Sequence, residues 1–95
     1  MTRYSYLLVI SGVSKNRVQV QNFLDNRVEI LNWFANFQNA IFIISEKSAL
    51  ELTSILRPFL SPDHFILINT DTDRNGWMSK KAWDFIKEKK GSWES

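Results

Sequence analysis

The stretch Ala40-Ile41-Phe42-Ile43-Ile44, with Ser48-Ala49-Leu50-Glu51 close behind it, decides how the rest of the chain is read. A run this short, β-branched and aromatic is a strand rather than a helix segment, and its lack of polar alternation marks a strand that is apolar on both faces. Ser48 and Glu51 have the Ser-x-x-Glu spacing of a capping box, in which hydroxyl and carboxylate satisfy N–H groups left unpaired at a helix start. Beyond the box, Leu52, Ile55, Leu56 and Phe59 recur at helical spacing. Pro58 disfavours helical geometry at Arg57, so this helix is predicted to fray there. Ser61-Pro62-Asp63 then reads as a turn and Phe65 to Asn69 as a further strand.

Working outward, Asn36-Phe37-Gln38-Asn39 supplies a turn, and Val28 to Phe34 is predicted to be its hairpin partner, with Val28 and Ile30 on one face and Leu31 and Trp33 on the other. From Lys15 to about Asn26, the apolar residues Val20, Phe23 and Leu24 make the stripe of an amphipathic helix. Residues 5–11, stopped by Ser11-Gly12, read as the first strand. At the other end, Asp71 to Gly76 is a polar loop, and Ser79 to about Lys89 is a short helix with Ala82, Trp83 and Ile86 on one side. The order β-α-β-β-α-β, with right-handed crossovers and a central hairpin, predicts an α+β fold. It is a ferredoxin-like antiparallel sheet with helices on one face and an appended C-terminal helix. Residues 1–90 form this single domain, and 91–95 a flexible tail.

Composition narrows the function classes. A chain of 95 residues holds one domain, and 44% hydrophobic content with only 3 Gly and 2 Pro excludes a disordered protein. The absence of cysteine excludes disulfides and thiolate metal sites and fits a reducing, cytoplasmic setting. No apolar run approaches the ~20 residues that span a bilayer, and the first one lacks an Ala-x-Ala cleavage site, so no membrane partner is expected. A net charge of +2 gives no global pull toward polyanions, but it is segregated: residues 1–27 and 79–95 are net basic, residues 28–78 net acidic.

The strands pose a physical problem. Helices cover one face, yet Tyr6, Leu8 and Ile10 oppose Leu7 and Val9; Ile41 and Ile43 oppose Phe42 and Ile44; Phe65 and Leu67 oppose Ile66 and Ile68. Each large apolar side chain left in water forgoes ~1.5–3 kcal/mol, against a total stability of ~5–10 kcal/mol for a chain this size. The second face therefore calls for cover, by the C-terminal helix in part and by a second copy for the rest, which predicts a homodimer. Tyr6, Leu8, Ile10, Phe42, Ile44, Ile66, Ile68, Trp77 and Trp83 are the candidate interface or core residues. Trp33, Trp77 and Trp83 read as packing anchors.

Other constellations are weaker. Asp71-Thr72-Asp73-Arg74-Asn75-Gly76 has the opening spacing of an EF-hand calcium loop, but its twelfth position, where a bidentate Glu belongs, is Ala82. It is read as an ordinary Asx-rich loop, with no metal site and no cofactor assigned. The single histidine, His64, is a turn residue with no partner at catalytic spacing. Lys80, Lys81, Lys87, Lys89 and Lys90 surround the last helix and are the candidate phosphate contacts for nucleic acid, with Trp77 or Trp93 as stacking platforms.

The stretch from Trp33 through Ile44, then Glu51-Leu52, Arg57-Pro58-Phe59-Leu60, Asp63, the 65–68 strand and Gly76-Trp77 before Trp83, resembles the bacterial SinR-type small proteins. These are similar in turn to the small, non-integrase subunit of the CRISPR spacer-acquisition complex. The resemblance covers residues 5–88 and implies a ferredoxin-like homodimer in a defence-associated setting. In that subunit the first strand ends Tyr-Asp, and the Asp marks a metal-dependent nuclease site at the dimer interface. Here it ends Val9-Ile10-Ser11-Gly12, and Ser11 lacks the anionic oxygen that Mg²⁺ prefers. The expected function is a homodimeric binding or regulatory module for a protein or nucleic-acid partner, with no catalytic residue assigned. The alternative is a metal-dependent endonuclease.

Overall fold

The computed structural model describes residues 2–12, 14–35, 37 and 39–89. The elements run β1 (Tyr4–Ile10), α1 (Arg17–Asp25), β2 (Asn32–Phe34), β3 (Ala40–Ser45), α2 (Ala49–Leu60), β4 (Phe65–Asn69) and α3 (Lys80–Glu88). The strands form one four-stranded antiparallel sheet in the order β2-β3-β1-β4, so β1 and β3 are central and β2 and β4 are edges. The fold is thus α+β, with three helices around that sheet.

The two-faced strands assemble as two cores. On one face Tyr6, Leu8, Ile41 and Ile43 are buried beneath Val20 and Leu24 of α1 and Leu52, Leu56 and Leu60 of α2. Phe23 and Phe59 join the helices by ring stacking, with centroids 4.1 Å apart. On the other face Phe42 and Ile44 are buried with Phe85 and Ile86 of α3, flanked by Leu7, Leu31, Phe34, Met78 and Trp83. The last helix therefore packs on its own chain.

Several local readings need correction. The strand predicted over 28–34 is only Asn32–Phe34. Before it the chain turns, Ile30 N–H donating to the Arg27 carbonyl at 3.1 Å, and Arg27 forks onto Glu29 through two 3.1 Å bonds. Val28 is consequently 89% exposed, while Ile30 enters the core alone. α1 starts at Arg17 because Asn16 and Gln19 form a capping box. α2 does not fray at Pro58 but continues to Leu60, which is fully buried. Apolar burial of that last turn, worth ~1.5–3 kcal/mol for a leucine, holds the helix past the proline. The expected capping box at Ser48 and Glu51 is present. The predicted tail, 91–95, lies outside the described residues.

Candidate interaction surface

Ser79 caps α3, its hydroxyl accepting from Ala82 N–H at 3.2 Å. Below it Ala82, Phe85 and Ile86 turn to the sheet. By helical spacing Lys80, Asp84 and Lys87 then share the outward face. At the far end Lys89 adopts a left-handed conformation, φ 49°, and its carbonyl accepts from Arg3 at 3.3 Å. The Lys89 ammonium also meets Asp71 at 3.2 Å, strapping the end of α3 to the loop after β4.

This arrangement divides the predicted lysine cluster. Lys80 donates to Asp84 at 2.8 Å, and that hydrogen bond raises its pKa above the ordinary value. Lys81 sits over the Phe34 ring, 5.6 Å from its centroid. Lys89 is committed to Asp71. Lys87 lies exposed in the last turn, and Lys90 lies outside the described residues. Lys80 and Lys87 therefore remain on the outer side of α3, with Asp84 between them, while Lys81 lies at its flank over Phe34 and Lys89 is drawn away.

Among the candidate interface or core residues, Tyr6 and Leu8 belong to the first core and Phe42 and Ile44 to the second, while Ile10 and Trp83 are half-buried. Burial pushes the Tyr6 phenol upward, and its hydroxyl donates to the Lys47 carbonyl at 2.7 Å. The reading of Trp77 as a packing anchor is overturned: it is 99% exposed, because Met78, not Trp77, turns inward before α3. Trp33 is half-buried and donates from Nε1 to Asp25 at 2.7 Å. Ile66 and Ile68, on the α3 side of β4, remain 57% and 44% exposed, since α3 lies over the β2–β3 half of that face.

The Asx-rich loop is held by cations and by the strand. Asp71 accepts from Ser5 N–H at 3.3 Å and meets Arg74 at 3.5 Å besides Lys89, and Ser5 and Thr70 join their hydroxyls beside it. Among the described residues no group of three His, Asp or Glu side chains is placed to hold a metal ion. His64 is exposed at its turn, its carbonyl accepting from the N–H and hydroxyl of Ser11.

No family model, curated protein or solved structure matches this chain.

One feature beyond sequence reasoning lies at the end of β1. The Asp63 carboxylate, from the far side of α2, packs against Gly12 so closely that a Cβ there would collide with it. Ser14 fixes it through its N–H at 3.0 Å and its hydroxyl at 2.8 Å. Nearby a cleft of about 450 Å³ is floored by Ile10, Val20, Ile41 and Leu60 and edged by Lys15 and Arg17. Both cations are engaged, Arg17 with the Phe37 carbonyl at 2.9 Å and Lys15 over the Phe59 ring at 5.6 Å.

Proposed function

We propose that the protein is a small homodimeric binding or regulatory module that meets its partner through its surface. The observation that carries this reading is the half-covered sheet: α3 seals Phe42 and Ile44, while Ile66 and Ile68 of β4 stand exposed on the same face. Apolar patches of this kind are characteristic of association surfaces. The strand order β2-β3-β1-β4, with antiparallel neighbours and α1 and α2 on one face, supports the finer ferredoxin-like description. The SinR-type likeness and the lack of cysteine support a cytoplasmic, defence-associated setting.

Nucleic acid is the partner class that suits α3, where Lys80 and Lys87 on its outer side and Lys81 at its flank follow the bare indole of Trp77. The endonuclease alternative has less chemistry behind it. The carboxylate brought to the end of β1 is Asp63, and Ser14 already occupies both its oxygens. The test is fluorescence anisotropy with labelled single-stranded RNA and DNA across a salt series. Binding that weakens with salt, and weakens again in Lys80→Glu/Lys81→Glu, is expected; no binding, or equal binding by that variant, removes the nucleic-acid reading. Mg²⁺-dependent cleavage of the same strands would instead favour the nuclease.

A further inference from the structure

We infer that two copies of the chain join edge to edge through β4, pairing antiparallel about Leu67 to make one continuous sheet. The inference rests on the homodimer proposed above and names the surface that builds it.

The backbone fixes which groups are available. Ser11 N–H donates to the His64 carbonyl at 2.8 Å and Thr70 N–H to the Ser5 carbonyl at 2.9 Å, both in the β1–β4 register that aligns Leu8 with Leu67. Strand residues alternate the side to which they turn their N–H and C=O. If His64 and Thr70 face β1, then Ile66 and Ile68 do too, and Phe65, Leu67 and Asn69 present their backbone groups to the open edge. An edge of this kind is a template for another strand unless it is blunted by charge, proline or a bulge. Phe-Ile-Leu-Ile-Asn, residues 65–69, contains no charge and no proline, and it keeps an unbroken register with β1. The opposite edge is blunted by its length, since β2 has only three residues.

A second copy fits this edge because the segment is self-complementary. Centred on Leu67, a two-fold pairing sets Leu67 against Leu67 of the partner subunit and Phe65 against Asn69 of the partner subunit. These are the residues whose backbone groups point outward, so all of them are satisfied. The same register sets Ile66 against Ile68 of the partner subunit, and the reverse. Cross-strand apolar pairs of this kind stabilise a sheet, and here they shield one flank of side chains that α3 leaves 57% and 44% exposed.

The chain has no cysteine, which permits a register-specific cross-link free of background. Ile66→Cys and Ile68→Cys chains are mixed and oxidised, and the wild type and Ile66→Lys are sedimented at micromolar concentration. The expected results are a dimeric wild type, disulfide dimers in the mixture well above those in either variant alone, and at least tenfold weaker association of Ile66→Lys. Leu50→Lys, exposed elsewhere on α2, should sediment as the wild type does. A dimeric wild type without the mixed cross-link, and with Ile66→Lys still fully dimeric, overturns the edge pairing but leaves the homodimer. A monomeric wild type overturns both. Should Ile66→Lys fold poorly by circular dichroism, the cross-link alone decides.

Discussion

Phe85→Ala tests how far α3 belongs to the domain core. Phe85 is fully buried in the second core and packs against Phe34 with ring centroids 5.7 Å apart. Truncating a buried phenylalanine costs ~3–5 kcal/mol, with loss of an aromatic pair adding within that range. For a chain of 95 residues, total stability is ~5–10 kcal/mol, so this one change should remove about a third of it or more. Since ~1 kcal/mol moves the midpoint of a domain this size by ~4–8 °C, a loss of ~3 kcal/mol lowers the melting midpoint by ~12–24 °C. The assay is thermal and urea unfolding followed by far-ultraviolet circular dichroism, at one fixed protein concentration so that association does not confound the comparison. Ile86→Val, at the same interface, should cost only ~0.5–1.5 kcal/mol. A Phe85→Ala loss below ~1 kcal/mol would mean that α3 does not seal Phe42 and Ile44, and the reasoning about the second face would fail.

Other outcomes follow from individual contacts. Gly12→Ala drives a methyl group into the Asp63 carboxylate that Ser14 holds in place; it should cost ~1–3 kcal/mol, and Asp63→Ala should relieve most of that cost in a double-mutant cycle of unfolding energies. Trp77→Ala should change stability by less than ~0.5 kcal/mol while removing the component of tryptophan emission most readily quenched by acrylamide. The Ser48 backbone N–H, and then its hydroxyl, hold the Glu51 carboxyl below its ordinary value of 4.5. That cap therefore contributes fully above pH 4.5 and is lost as the pH falls through the lower folded-state value. Glu51→Gln should flatten this part of the stability–pH curve, and an unchanged acid limb would show that the carboxylate does not cap α2.

Much of the architecture was legible because it follows local rules. Short, continuous apolar runs bounded by turn residues located β1, β3 and β4, helical spacing located Leu52 and Leu56, and the Ser48–Glu51 box marked where α2 begins. The same runs, apolar at odd and even positions alike, identified both faces of the sheet and so the need for cover. The misread parts are those where a tertiary or side-chain contact overrides the pattern. Val28 to Leu31 looked like strand, but the Arg27–Glu29 fork and the turn at Ile30 delay pairing until Asn32. Pro58 looked like a stop, but burial of Leu60 carries the helix through it. The Asn16–Gln19 box was visible in the sequence and would have placed the start of α1 at Arg17.

The interaction surface was less legible, for a physical reason: sequence records which charges and rings a chain owns but not what the fold sets beside them. Lys89 counted as a basic residue until Asp71, well upstream of it, met its ammonium. The size of Trp77 suggested burial, and only the packing of Met78 shows which neighbour turns inward. Gly12 gave no sign of the carboxylate that lies against it, because Asp63 arrives from across α2.

Sedimentation equilibrium of the unmodified chain across the micromolar range weighs the central claim most directly. A sheet with α3 over one half of its second face and a twin's β4 paired at its open edge gives a mass near twice 11.2 kDa, falling toward the single-chain value only on dilution. A mass of 11.2 kDa at every concentration would mean that Ile66 and Ile68 rest in water unaided, and the account would be wrong.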